Sequence, residues 1–111
     1  MARIFRRHDE AGAPVEALPG VGRRTLVHGE RMLMTEFLLS GGRELPEHSH
    51  PHEQAGYLVK GHIVLRIGGV EHDTLPGGSW CVPAGVRHGA AIVEDSVALE
   101  VFSPVREDYL P

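Results

Sequence analysis

Glycine and proline interrupt this chain so often that long helices have nowhere to form. Fourteen glycines and eight prolines are spread along 111 residues, leaving few windows long enough for the three-and-four spacing of an amphipathic helix. Between them lie short runs rich in branched or large apolar residues, at 25–27, 32–39, 57–59, 63–67, 80–82, 90–93 and 97–102. Each run is bounded by turn-forming residues, so we read seven or more strands and an all-β fold. The clearest local pattern is the alternation of Ile63, Leu65 and Ile67 with Val64 and Arg66, after which Gly68-Gly69 supplies the positive backbone angles of a tight hairpin before Val70. Gly41-Gly42, Pro76-Gly77-Gly78 and Pro83-Ala84-Gly85 mark further turns. Residues 15–22 read as an irregular lead-in, dividing the chain into an N-terminal arm, 1–24, and one barrel domain, 25–111. Many short strands at such spacing predict a sandwich or a barrel.

The length is that of one domain. With 41% hydrophobic and 23% charged residues the composition is that of a folded globular chain. A net charge of -4 offers no broad basic footprint for a phosphate backbone, which argues against a nucleic-acid partner. The densest basic group, Arg3, Arg6 and Arg7, runs straight into Asp9 and Glu10 and reads as a solvated arm. Cys81 is the only cysteine, so no intramolecular disulfide can form. Set between Trp80 and Val82, it is expected to be a buried, inert thiol. No apolar run resembles a signal-peptide core or a membrane span, so we expect a cytoplasmic protein with no membrane partner.

Chemistry concentrates in His48-Ser49-His50-Pro51-His52-Glu53-Gln54, which holds three of the eight histidines. On a strand, side chains two apart share a face, so His48 and His50 can reach one ion, and Gln54 has the same parity. A solvated histidine patch would explain an isolated pair equally well. The balance changes with Pro83-Ala84-Gly85-Val86-Arg87-His88, which delivers another histidine at the entry to a new apolar run.

These two segments resemble the cupin family. Its first motif runs Gly, five residues, His, one, His, three, Glu, six, Gly. Gly42, His48, His50, Gln54 and Gly61 match it, with Gln54 where the family usually has Glu. The second runs Gly, five residues, Pro, one, Gly, two, His, three, Asn. Gly77, Pro83, Gly85 and His88 match it, with Ile92 in place of the Asn. The resemblance implies a double-stranded antiparallel β-barrel of the jelly-roll type, one divalent ion held by His48, His50, Gln54 and His88, and a homodimer.

Imidazole and amide ligands suit nickel, zinc, manganese and iron alike. Neutral ligands leave the ion's charge uncompensated, so such a site should attract a small anionic substrate and polarise its oxygens. Glu53 has the wrong parity beside Gln54, and His52 is expected to orient a neighbour rather than bind the ion. His8, His28, His62 and His72 show no partner at useful spacing and read as ordinary surface residues.

In the last strand Glu100 and Phe102 share a face. A carboxylate on an inner face needs either a charge to meet or a proton to move. Arg106 is the nearby positive group, and two readings stand. Glu100 and Arg106 form an ion pair that pins the C-terminal tail, or Glu100 is a general acid and base while Arg106 grips a substrate carboxylate with its planar fork.

Here the sequence is similar to the KdgF family of small cupins, in the His48 to Gln54 segment, in Tyr57, and from Phe102 through Arg106 to Leu110. That resemblance implies ring opening of 4,5-unsaturated uronates to the linear keto acid, with catalytic Glu100 and Arg106 and a substrate held by Tyr57, Phe102 and Arg106. The family's acidic residue is Asp where this chain has Glu100. Alternatives are another small-molecule cupin enzyme, a polyketide-type cyclase or a dioxygenase, and a non-catalytic module that binds a small acid.

Overall fold

The structure is a computed structural model that describes residues 4–110; Arg3 of the basic group lies outside the described residues. Eight strands follow in order: β1 (Val15–Leu18), β2 (Val21–His28), β3 (Leu33–Leu39), β4 (Glu44–His48), β5 (Glu53–Ile67), β6 (Val70–Thr74), β7 (Ser79–Val82) and β8 (His88–Ser103). Short 3-10 turns occupy His8–Glu10 and Glu107–Tyr109. Pairing is antiparallel throughout, in the order β1-β2-β3-β8-β5-β6, with β4 on β8 and β7 on β5. This is the all-β barrel that the turn spacing predicts, in the jelly-roll form that the cupin resemblance implies. Among the described residues no helix is long and apolar enough to cross a membrane.

The long strands β5 and β8 make the two layers one body. Residues 96–102 of β8 pair with β3, and residues 88–91 pair with β4. Likewise β5 pairs first with β7 and later with β6. Where both strands bend, the β5–β8 register shifts around Lys60 and His62. Gly61 sits there at φ +99°, and a Cβ on it would lie 2.6 Å from the Asp95 carbonyl oxygen. Only glycine fits such a corner without strain.

Inward side chains alternate along the first half of β5, where Gln54, Gly56 and Leu58 are buried between exposed neighbours, as a half-buried pleat requires. Leu33, Phe37 and Leu39 of β3 meet Val21, Leu58, Ile63, Ile92, Ala98 and Phe102 in the core. The β5–β6 hairpin forms as expected, with Ile67 opposite Val70 and both Gly68 and Gly69 at positive φ.

Four sequence expectations are corrected. Residues 15–18 and 21–22 are strand, because Pro19-Gly20 makes a tight turn with Gly20 at φ +76° and Leu18 then pairs with Val21. Cys81 is exposed, since Trp80 and Val82 claim the inner positions of β7 and the residue between them must face out. His8 is not without a partner: its Nε2 lies 3.0 and 3.1 Å from the two oxygens of Glu36. Arg24 Nε donates to the same carboxylate at 2.7 Å, so a buried Glu36 ties the arm to the barrel. His62 Nε2 lies 2.5 Å from Asp73 Oδ1. The arm's Arg7 pairs with Asp9 and Glu10, as a solvated segment should.

Candidate metal centre

Three imidazoles converge from three strand ends. His48 closes β4, His88 opens β8 directly opposite it, and His50 lies in the crossover that leads into β5. One ring nitrogen of each lies within 4.8 Å of the others. The backbone sets which nitrogen that is. Nδ1 of His48 is 2.9 Å from the Pro46 carbonyl oxygen, Nδ1 of His50 is 3.0 Å from that of His52, and Nδ1 of His88 is 2.9 Å from that of Val86. A carbonyl only accepts, so each Nδ1 carries the hydrogen and each neutral ring presents a lone pair at Nε2.

Two of those lone pairs have no protein proton to meet. His88 Nε2 is buried with no hydrogen-bond partner. His50 Nε2 stands 2.7 Å from Gln54 Oε1, which is itself an acceptor. Burial lowers the pKa of both rings, and the positive charge of Arg106 pushes in the same direction, so neither gains a second proton readily. Acceptor facing acceptor inside a barrel is costly unless a cation lies between them. The donor set therefore fits one divalent ion on His48, His50, His88 and Gln54 Oε1.

Gln54 is oriented from behind. Its Nε2 donates to Glu100 Oε1 at 2.6 Å, which turns its oxygen toward His50. Trp80 Nε1 donates to the same Glu100 oxygen at 2.8 Å. Room for that indole exists because Gly56 lies opposite both residues, and a Cβ on Gly56 would collide with the Trp80 ring. Burial pushes the Glu100 carboxyl up to about 7, against the hydrogen bonds from Trp80 and Gln54 and the charge of Arg106. Both donors converge on Oε1, which leaves Oε2 for a ligand.

A cavity of about 260 Å³ joins these groups. His48, Gln54, His88, Glu100, Trp80, Arg106 and Tyr109 give it a polar end, while Val21, Leu39, Leu45, Ile63 and Leu65 wall the remainder. Phe102 is fully buried, with its ring 5.8 Å from that of His50.

Not every residue singled out in the sequence arrives here. Tyr57 faces outward, 48% exposed, because Gln54, Gly56 and Leu58 hold the inner positions of β5 and the residue between them turns away. Arg106 lines the cavity but pairs with Asp108, at 2.8 and 3.3 Å, and not with Glu100. The chain has left β8 by then, so the closer carboxylate in sequence takes the fork. Glu53 is exposed, and His52 steadies His50 through its carbonyl oxygen. Trp80 and Tyr109 were not assigned roles. Trp80 meets Gly56 only through the pairing of β5 with β7, whereas Tyr109 lies within the segment from Phe102 to Leu110 that carries the narrower resemblance.

Comparisons with known proteins agree with the fold. No curated protein sequence matches the chain. Among solved structures, it is similar to an RmlC-like cupin from Shewanella frigidimarina, with 27% identity, a TM-score of 0.92, and coverage of 97% of this chain and 96% of that one. It is similar to KdgF from Halomonas sp., with 28% identity, a TM-score of 0.89, and coverage of 99% and 100%. The polyketide cyclase RemF from Streptomyces resistomycificus shares the fold, with 23% identity, a TM-score of 0.76, and coverage of 96% and 90%. Residues 34–104 match the cupin domain family, to which this chain belongs.

Proposed function

We propose that the protein is a metal-dependent enzyme acting on a small anionic sugar acid, and that it opens the ring of 4,5-unsaturated uronates to the linear keto acid. The observation that carries this reading is Glu100, which lines the same cavity one hydrogen bond behind Gln54 and whose carboxyl burial pushes up to about 7. Ring opening of such a sugar is an isomerisation. The anomeric hydroxyl loses a proton and becomes the C1 aldehyde, the bond from C1 to the ring oxygen breaks with its electrons left on that oxygen, and the resulting enolate takes the proton at C4 to give the C5 ketone. One group able to accept and return a proton near neutrality suffices. Glu100 does this through Oε2, while Arg106, whose Nε and Nη2 face Asp108, meets the substrate carboxylate through Nη1, and Phe102 closes the apolar wall against water. A divalent ion on the three histidines and Gln54 supplies Lewis-acid polarisation of the substrate's oxygens. The likeness to Halomonas KdgF supports the same assignment. Incubating the metal-loaded protein with a 4,5-unsaturated uronate tests it: the conjugated-alkene absorbance should disappear, and no loss with metal bound removes the assignment.

The apolar wall favours a second reading. Leu39, Leu45, Ile63 and Leu65 offer sugar hydroxyls no partner, whereas a polyketide-type substrate would fill that space and cyclise through an enolate. Cyclisation proceeds without oxygen, and oxygen consumption with ferrous iron would instead mark a dioxygenase. We also propose that the protein is a homodimer, which its mass in solution would decide.

A further inference from the structure

We propose that Tyr109 is a positioning residue that holds Arg106 at the cavity. The inference rests on the reading of Arg106 as the group that grips the substrate carboxylate. A guanidinium on a flexible stem loses much rotamer freedom when it is held for a ligand, so a site that relies on one needs it anchored beforehand. Arg106 is anchored on two sides. Its side chain is 15% exposed, Asp108 takes the fork edge, and the Tyr109 ring lies under the guanidinium at 4.1 Å. The Phe102 ring is more distant at 5.2 Å.

Tyr109 is held more firmly than a tail residue needs to be. Its ring stands edge-on to Phe102 at 5.4 Å and to Phe37 at 6.3 Å. A second guanidinium, that of Arg23, sits over it at 4.2 Å. Thr25 Oγ1 donates to its carbonyl oxygen. Arg23 and Thr25 share the inner parity of β2 with Val21, so the barrel wall itself receives the tail. Cation–π contacts on a partly desolvated ring are strong enough to fix a side chain. The geometry requires the ring and not the hydroxyl, because Arg106 meets the ring.

Galacturonate, a saturated uronate, is the probe, applied to the metal-loaded protein. Tyr109→Leu should weaken its binding in calorimetry by roughly tenfold or more. Tyr109→Phe, which keeps the ring, should restore affinity to within about twofold. In an Arg106→Gln background Tyr109→Leu should add nothing, since a residue acting through Arg106 has nothing left to hold. Undiminished affinity in Tyr109→Leu, equal impairment in Tyr109→Phe, or additive penalties in the double variant each overturn the proposal. If Tyr109→Leu does not fold, Arg23→Gln carries the same expectation at a smaller factor, and unchanged affinity there overturns it. If the wild type binds no galacturonate, the uronate reading still rests on turnover of the unsaturated sugar. The proposal is then decided by mass-mapped modification of Arg106 with an arginine-selective dicarbonyl: faster reaction in Tyr109→Leu supports it, and equal rates overturn it. Turnover of the unsaturated uronate combined with additive penalties leaves the reaction standing without this inference.

Discussion

Gln54 Nε2 donates to Glu100 Oε1 at 2.6 Å, and that single hydrogen bond links the group proposed to hold the ion to the group proposed to move a proton. The amide cannot turn its oxygen toward the imidazoles without turning its nitrogen toward the carboxylate. Each residue thus fixes the other's role, and substitutions in the pair should separate metal binding from chemistry.

Glu100→Gln keeps the shape and removes the proton exchange. Turnover should fall by roughly 10²–10⁴-fold, while elemental analysis finds the same metal content as in the wild type. If a ligand is recovered unchanged from both proteins and leaves both at the same rate, the protein is a binding module and not a catalyst.

His88→Ala removes the buried ring whose Nε2 has no protein partner. Metal content should drop to a small fraction of wild type, and His48→Ala should act the same way. The ion also stabilises what it binds: at a hundredfold excess over Kd it adds about 2.7 kcal/mol, so chelation should lower Tm in the wild type and leave His88→Ala unmoved. Full occupancy in both variants refutes the ligand assignment.

Gly56→Ala tests the space that Trp80 occupies. The added methyl meets the indole, which must shift and release Glu100. We expect a loss of roughly 1–3 kcal/mol in stability, a change in Trp80 fluorescence and slower turnover, with metal retained. An unchanged emission spectrum would contradict the contact.

Acid should loosen the N-terminal arm through Glu36. Burial raises its pKa, but the hydrogen bonds and charges of Arg24 and His8 outweigh burial and hold it below the usual carboxylate value. A carboxyl whose pKa is lower folded than unfolded contributes stability above its unfolded pKa, and that contribution is lost as pH falls through the folded value. Urea melts of wild type and Glu36→Gln should therefore differ by roughly 1–3 kcal/mol near neutrality and converge below about pH 4. A gap that stays constant into strong acid would mean that the ion pair adds nothing.

Much of the centre was legible because its information is local. The parity of His48, His50 and Gln54, and the fixed spacing from Gly42 to Gly61, follow from one pleat and one corner, and the corner at Gly61 explains why that spacing is rigid. The parity that places Gln54 inside places Tyr57 outside. The turn at Pro19-Gly20 was also visible in the letters, and it makes strand of what looked irregular. Trp80 and Arg106 were harder. Trp80 reaches Glu100 across β5 through a gap left by Gly56, a relationship between distant segments. Arg106 follows the end of β8, where alternation stops, and its choice of Asp108 over Glu100 depends on how the tail folds back.

The carbonyls of Pro46, His52 and Val86 have a wider consequence. Ring tautomers fixed by main-chain oxygens do not depend on any neighbouring acid for their orientation. The cavity lining can then be exchanged residue by residue to suit a different guest, while the cradle for the cation travels intact with the fold.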